Sequence, residues 1–241
     1  MVNEQTVQTA WYQAPTRIPN PPRKDAHTYP VKINRSRRVV GLMLSMIDQE
    51  MLPYHSSLER VFIQIMGLDP RCKELRAQPR SISYETPEGL RSYTADFYAT
   101  FETGHRLLVE TKPEWAYRAE GSEEKWRSIK ESARALGLGF VWMGEKELLR
   151  QPRYDNLVFL QIYRSSGVDL DIAHLIDQAF ARQKVISLKD LQTLSEDRLL
   201  VRDTVATLLV QRHLWTNLDL PFNEESLIQK VSSPFIDHTR S

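Results

Sequence analysis

Two carboxylates and one amine stand at close spacing in the middle of the chain. Asp96 is followed by Glu110, and Lys112 comes two residues later. Carboxylate oxygens are ligands that Mg²⁺ takes one or two at a time, and a nearby lysine can orient a nucleophile or offset negative charge. These residue types suit metal-assisted hydrolysis of a phosphodiester. The alternative is a cross-strand salt bridge on a solvated sheet face, which is frequent and contributes little to stability.

The strands that carry these residues are predicted by the alternating pattern on either side of a short turn. Residues 91–101 form the first half and residues 106–112 the second, with Glu102-Thr103-Gly104 between them. Runs rich in aromatic and β-branched residues, separated by a turn that contains glycine, predict a β-hairpin. We expect this hairpin to be the element around which the rest of the chain is built.

The register of the hairpin decides whether the three side chains meet. Successive side chains of a strand point to opposite faces, so Glu110 and Lys112 share one face. Asp96 joins them only if the loop has an odd number of residues, since a two-residue loop would set Asp96 against Thr111. We predict a three-residue loop with Gly104 in the left-handed conformation.

A further acidic residue, Glu59, opens a predicted helix upstream of the hairpin. The amphipathic spacing predicts a helix from Ser56 to Gly67, and Glu59 lies three residues after Ser56, as in a capping box. Glu59 could therefore accept a hydrogen bond from the backbone amide of Ser56. It could also reach towards the sheet as an outer metal ligand.

The remaining elements of this part of the chain alternate between strand and helix. Residues 81–86 show strand-like alternation, residues 122–136 an amphipathic helix, and residues 140–143 a strand, after which Glu145 begins a short helix. We interpret the basic side of the 122–136 helix as a solvated face in preference to a DNA contact. Helix, three antiparallel strands, helix and strand in this order predict a mixed α/β sheet.

The chain after Gln151 is predicted to be mostly helical. Helical patterns cover residues 169–182, 187–194 and 195–213, and residues 215–220 resemble a strand or wing. This order matches either a winged-helix outline or a helical protein-docking domain. Three arginines of the longest helix are candidate phosphate contacts: Arg198, Arg202 and Arg212.

Composition and charge place the chain among globular proteins. It has 241 residues, of which 41% are hydrophobic, which is enough for one large domain or two small ones. The net charge is only +1, but the first 40 residues hold seven basic residues against two acidic ones. Residues 1–36 are rich in proline, which disfavours helix and central strand. They are either a basic docking arm or a disordered tail.

Several classes of site and location are excluded by the residues present. A single cysteine, Cys72, rules out an intramolecular disulfide and a zinc site made of several cysteines. The six histidines include no pair at helical i, i+4 spacing. No apolar run approaches the length of a membrane span, and the N-terminus has no secretory signal pattern. We therefore expect an intracellular soluble protein without membrane partners.

Four sequence blocks in series resemble a known nuclease family. The order of elements is similar to the restriction-endonuclease-like fold and its PD-(D/E)xK signature, and more closely to TnsA, the endonuclease subunit of heteromeric cut-and-paste transposases. The resemblance rests on Ser57-Leu58-Glu59-Arg60, on Asp69-Pro70 followed by Gln78-Pro79, on Tyr93-Thr94-Ala95-Asp96-Phe97, and on Val109-Glu110-Thr111-Lys112-Pro113. Together these blocks cover roughly residues 37–145.

The resemblance implies the fold class and the domain organisation. It implies an α/β protein with a restriction-endonuclease-like mixed sheet flanked by helices, and a smaller, mostly helical, winged-helix-like C-terminal domain. The corresponding boundaries are a basic, proline-rich N-terminal arm at residues 1–36, the PD-(D/E)xK nuclease domain at 37–150 and the C-terminal domain at 151–241.

The resemblance also implies a role for each acidic residue. Glu59, Asp96 and Glu110 would be the ligands of Mg²⁺, or of Mn²⁺, with Asp96 bridging the metals. Lys112 would position the attacking water and complete the catalytic set. The chain departs from the family at two points: some members carry glutamine where Glu110 stands, and Ala95 stands where the signature often has proline.

The activity implied by the resemblance is nicking of the 5′ ends of a transposon by a metal-dependent DNA endonuclease. The implied partners are double-stranded DNA at the transposon ends, a DDE-type transposase that handles the 3′ ends, and an AAA+ ATPase regulator contacted through the C-terminal domain. The implied location is the bacterial cytoplasm, in association with the nucleoid. Two alternatives remain: a stand-alone PD-(D/E)xK nuclease of restriction or repair type, and a catalytically silent scaffold that binds DNA and partner.

Overall fold

The computed structural model describes residues 39–231 and divides the chain into two compact units. The first unit comprises the described residues up to Met43, together with Met51–Arg60 and Arg71–Glu147; the second comprises Leu44–Glu50, Val61–Pro70 and the chain from Leu148 onward. The N-terminal arm expected at residues 1–36 lies outside the described residues. The boundaries expected at residues 36 and 150 stay a prediction.

The helices and strands follow one another in a mixed order along the chain. Up to the middle of the chain they are β1 (Gly41–Leu44), β2 (Met51–Tyr54), α1 (Ser57–Leu68), β3 (Cys72–Ala77), β4 (Ile82–Thr86), β5 (Gly89–Tyr93), β6 (Phe97–Phe101) and β7 (Arg106–Thr111). Then come α2 (Glu114–Tyr117), α3 (Ser122–Ala135), β8 (Gly139–Met143) and α4 (Glu145–Leu148). The rest are α5 (Arg153–Gln161), α6 (Leu170–Phe180), β9 (Val185–Ser187), α7 (Leu188–Leu191), α8 (Arg198–Val210), β10 (Leu214–Thr216) and β11 (Leu227–Lys230).

A four-stranded mixed sheet forms the centre of the first unit. Its order is β3-β6-β7-β8, with β3, β6 and β7 antiparallel and β8 parallel to β7. The parallel step is possible because α3 crosses over between β7 and β8, and it buries Trp126, Ile129 and Ala133. All six residues of β7 are buried, as expected of a central strand. The prediction of an α/β fold with a mixed sheet flanked by helices, in agreement with a restriction-endonuclease-like fold, is confirmed.

The hairpin of β6 and β7 has the register that the sequence predicted. Phe97 pairs with Val109, and Phe101 N–H donates to the carbonyl of His105 at 2.8 Å. Three residues therefore form the loop, and Gly104 has φ 81°. A left-handed residue at this position closes a three-residue loop, which glycine does without steric cost. One further step along this register sets Asp96 opposite Glu110.

Two strands differ from the sequence prediction. The third antiparallel strand of the sheet is β3, whereas β4 pairs with β5 in a separate hairpin. In addition, residues 91–101 form two strands, because the chain changes partner at Asp96, whose carbonyl accepts a hydrogen bond from Gln78 N–H at 2.7 Å. The alternating pattern predicts strands but does not specify which strand pairs with which.

The second unit contains helices α5, α6 and α8 and a three-stranded antiparallel sheet in the order β10-β11-β9. Its core is apolar and comes from all three helices: Leu157, Leu160, Ile172, Ile176, Val201 and Val205. The N-cap of α8 is Asp197, whose carboxylate accepts from Leu200 N–H, so this helix begins later than the predicted Ser195. The winged-helix assignment of this unit stays a prediction. Within residues 39–231, every helix is too short or too polar to cross a bilayer.

Candidate active site

Asp96 stands directly before β6 and is tied to the end of β7. One carboxylate oxygen, Oδ2, accepts hydrogen bonds from the backbone N–H of Thr111 at 2.7 Å and from its hydroxyl at 3.0 Å. Both bonds end on the same oxygen, so they fix the carboxylate without using Oδ1.

The surroundings of Asp96 disfavour the negative charge of its carboxylate. Burial is the largest effect and raises its pKa well above the usual range, and the negative charges of Glu110 and Glu59 raise it further. The two hydrogen bonds from Thr111 lower the pKa but do not outweigh these effects. Three carboxylates therefore act on one another electrostatically, as they do in sites that bind cations.

Glu110 lies on β7 and is buried, with only 7% of its surface exposed. Its Oε2 accepts a hydrogen bond from the hydroxyl of Tyr93 at 2.5 Å, and its Oε1 lies 3.5 Å from Lys112 Nζ. Burial and the charge of Glu110 raise the pKa of Tyr93, so that Tyr93 keeps its proton and remains a donor. The solvated sheet face of the salt-bridge alternative does not describe this pair, because Glu110 is buried.

Lys112 follows the last residue of β7, with its backbone held on both sides. Its N–H donates to Met143 O at 3.3 Å, and its carbonyl accepts from Trp142 Nε1 at 2.8 Å. Its ammonium group lies 5.7 Å from the centre of the Trp126 ring and near Glu110. With 38% of the side chain exposed, the amine can meet a bound substrate.

Glu59 lies in the first turn of α1 and interacts electrostatically with the other carboxylates. Its N–H donates to Ser56 Oγ at 3.1 Å, as in a capping box, but its Oε2 accepts from the backbone N–H of His55 at 2.7 Å. The sequence-based expectation that it bonds the Ser56 amide is thus wrong by one residue. Burial, the largest effect, raises the pKa of Glu59, hydrogen bonds from His55 and Ser56 lower it, and the charge of Glu110 raises it.

The donor chemistry of this cluster suits a hard divalent cation. Mg²⁺ binds through one or two carboxylates and keeps waters for its other positions, so Asp96 and Glu110 are a sufficient donor set. Among the described residues, no three His, Cys, Asp or Glu side chains converge as a group that could hold a metal ion. Coordination by Glu59, Asp96 and Glu110 together stays a prediction.

Three supporting residues were not identified as such from the sequence. Tyr93 bonds Glu110, Thr111 bonds Asp96, and His55 bonds Glu59. Tyr93 and Thr111 lie inside the sequence blocks of the family resemblance, which was the one available signal. Their partners depend on strand pairing that spacing alone does not determine.

Two of the three candidate arginines, Arg202 and Arg212, are engaged within the second unit. Arg212 donates to the carbonyls of Met66 at 3.3 Å and Gly67 at 3.1 Å, near the end of α1. Arg202 forms a 3.0 Å ion pair with Asp203. Both guanidinium groups thus have partners within the unit, and the phosphate contacts stay a prediction.

One family model matches the chain, over residues 69–145, and is described as TnsA-like endonuclease N terminal. The matched segment contains Asp96, Glu110 and Lys112, whereas Glu59 precedes it. The chain is thus similar to TnsA-like endonucleases over these residues, and the resemblance inferred from the sequence blocks is confirmed. No curated protein matches the chain significantly.

Proposed function

We propose that this chain, similar over residues 69–145 to the N-terminal domain of TnsA-like endonucleases, is a metal-dependent DNA endonuclease. The observation that carries the proposal is the meeting of Asp96, Glu110 and Lys112 where β6 begins and β7 ends. The Asp96 carboxylate is fixed by Thr111, the Glu110 carboxylate by Tyr93, and the amine lies 3.5 Å from Glu110. One buried acid, Glu110, and one half-buried acid, Asp96, beside an accessible amine suit phosphodiester hydrolysis.

The carboxylates of Asp96 and Glu110 would hold Mg²⁺ or Mn²⁺, with Glu59 as the third acidic group. The bound cation would supply an activated water and neutralise charge on the phosphate. Thr111 occupies Oδ2 of Asp96, so Oδ1 would be the oxygen that holds the cation. Tyr93 does the same for Glu110 by donating to Oε2. Both acids are thereby oriented before substrate arrives, which reduces the reorganisation that the reaction requires.

Lys112 would contact the reacting phosphate. Its ammonium group can donate a hydrogen bond to the attacking water, which orients the water, and to a phosphate oxygen, whose growing charge it offsets. The bonds that hold the Lys112 backbone to Met143 and Trp142 restrict where the amine can reach. Its neighbour Glu110 keeps the amine beside the acids.

We further propose that the chain is the nuclease subunit of a heteromeric cut-and-paste transposase of bacteria, acting at the nucleoid. It would nick the 5′ ends of the element, while a DDE-type transposase acts at the 3′ ends. An AAA+ ATPase regulator would contact the C-terminal domain. These roles are supported by the family similarity. Cleavage at the ends of a transposon is assigned to this chain by analogy with that family.

A strand-specific nicking assay on transposon-end DNA tests the proposal. With Mg²⁺ or Mn²⁺, we expect the chain alone to nick little and to nick the 5′ ends once the partner transposase is present. Asp96→Ala and Lys112→Ala should abolish nicking without preventing assembly with the transposase. Lys146→Ala is the matched control, since Lys146 is exposed and pairs with Glu114 at 2.9 Å.

The other outcomes of this assay identify the alternatives. Strong cleavage by the chain alone would favour a stand-alone nuclease of restriction or repair type. Full 5′ nicking by both the Asp96 and the Lys112 variants would contradict the nuclease proposal and support a catalytically silent scaffold.

A further inference from the structure

Gln78 has a backbone conformation that glutamine rarely adopts. It stands at the end of β3 with φ 48°, in the left-handed region. Residues other than glycine enter this region at an energetic cost, and such strained positions persist where the surrounding structure holds them.

A continuous line of hydrogen bonds passes through Gln78 in the first unit. Its backbone N–H donates to the carbonyl of Asp96 at 2.7 Å. Its side-chain amide nitrogen donates to Nδ1 of His55, also at 2.7 Å. The backbone N–H of His55 in turn donates to Oε2 of Glu59 at 2.7 Å. Gln78 therefore links Asp96 to His55, and His55 donates to Glu59.

The connection matters because Asp96 and Glu59 come from separate elements. Asp96 precedes β6, whereas Glu59 lies in the first turn of α1. Strand pairing fixes Asp96 relative to Glu110, but it places no constraint on a helix residue. The Gln78 side chain supplies that constraint, through His55.

We propose that Gln78 is a positioning residue that, through His55, holds the Glu59 carboxylate where its negative charge acts on Asp96 and strengthens the binding of a divalent cation by Asp96 and Glu110. The proposal rests on the proposed nuclease function. Residues that orient metal ligands from behind typically change metal affinity by about 10- to 100-fold when they are replaced. Gln78 acts through His55 and touches no reacting atom.

The test compares two glycine variants. Each replaces a glutamine that has positive φ, at position 78 or at position 49. Gln78→Gly removes the amide and suits the left-handed backbone. Gln49→Gly is the matched control, because Gln49 also has positive φ (56°) but lies exposed in a turn, where its N–H donates to Ser45 O. Thermal unfolding of both variants should show one cooperative transition, so that a change in Mn²⁺ binding does not reflect a failure to fold.

The decisive readout is Mn²⁺ binding to each protein, measured by electron paramagnetic resonance without DNA. We expect Gln78→Gly to weaken Mn²⁺ binding about tenfold and Gln49→Gly to leave it unchanged. In the Gln78→Gly background, Glu59→Gln should cause little further loss, since Glu59 is already displaced. Gln78→Asn, which accepts the left-handed backbone but is one methylene shorter, should behave like Gln78→Gly.

Two results would overturn the inference. One is wild-type Mn²⁺ affinity in Gln78→Gly; the other is a full additional loss from Glu59→Gln in that background. Failure of the proposed function gives a different pattern, in which the wild-type protein neither binds Mn²⁺ nor nicks transposon ends with its partner, and this inference then fails with it.

Discussion

At the scale of single residues, the site is an arrangement of buried charge kept in place by donors. Asp96 is repelled by Glu110 and Glu59, and its pKa is raised by burial first and by these charges second. Such an arrangement costs stability in the absence of a cation. Conservative substitutions in the site therefore separate the effect of a side chain on folding from its effect on catalysis.

Asp96→Asn should stabilise the cation-free protein while abolishing nicking. The amide oxygen still accepts from Thr111 N–H, but the buried negative charge beside Glu110 and Glu59 is gone. We expect an increase in unfolding free energy of about 0.5–2 kcal/mol in chelator. Mg²⁺ should raise the melting temperature of the wild type and not that of the variant, because a ligand stabilises only the state that binds it. A loss of stability in chelator would show that the Asp96 charge is not strained.

Tyr93→Phe tests whether Glu110 is oriented by the hydroxyl that donates to it. Removal of the hydroxyl leaves a buried carboxylate oxygen without its donor, so we expect a loss of about 1.5–3 kcal/mol in unfolding free energy. The nicking rate with partner transposase should fall about 10- to 100-fold. Denaturant titration and the nicking assay measure the two effects.

Tyr98→Phe is the control for this variant. The Tyr98 hydroxyl is also buried, but among the described residues it has no hydrogen-bond partner. Its removal should leave stability unchanged or raise it, and nicking should remain at the wild-type rate. Equal effects of the two substitutions would contradict the orienting role of Tyr93.

At the scale of elements, the sequence predicts local geometry better than it predicts partners. The three-residue loop follows from Gly104 and from the pattern on either side of it, and the structure has that loop. The choice of β3 in place of β4 as the partner of β6 does not follow from the pattern. This pairing joins segments that are distant in sequence, and the Gln78 to Asp96 hydrogen bond extends it by one step.

The same distinction holds for the candidate site. The spacing of Asp96, Glu110 and Lys112 predicts which side chains meet once the loop length is known. It does not predict Tyr93 or His55, since a residue that orients a carboxylate is recognised by its distance and not by its type. Glu59 illustrates the limit, because its donor is His55 where the capping pattern indicates Ser56.

Asp219 links the start of α5 to the turn after β10 and gives the second unit a pH dependence. Burial alone would raise its pKa, but hydrogen bonds from Arg153 and Arg150, at 2.6 and 2.7 Å, outweigh burial and hold the pKa below its usual range. A depressed folded pKa means that the unfolded chain binds the proton more tightly. The stabilisation is therefore complete above the unfolded pKa of about 4 and is lost as the pH falls through the lower folded value.

Asp219→Asn should lower the unfolding free energy by about 1–3 kcal/mol at pH 7, because two charged donors lose their ionised acceptor. The difference between variant and wild type should shrink as the pH falls below about 4. Urea titrations across this pH range measure it. A difference that stays constant down to acid pH would exclude the ion pairs as its cause.

At the scale of the whole molecule, the candidate catalytic residues come from one of the two units. Glu59, Asp96, Glu110 and Lys112 all belong to the first unit. Two of the three arginines proposed for phosphate contacts are engaged by residues of the second unit itself. The central claim therefore concerns the first unit: its acidic residues bind a divalent cation that serves DNA cleavage.

The most direct test is anomalous diffraction from crystals of the wild-type protein soaked in Mn²⁺. The account predicts a peak bonded to oxygens of both Asp96 and Glu110, at the distance of about 2.0–2.2 Å typical of small divalent cations, and no such peak in Asp96→Asn crystals. Absence of a peak at these carboxylates, at a Mn²⁺ concentration that supports nicking, would contradict it.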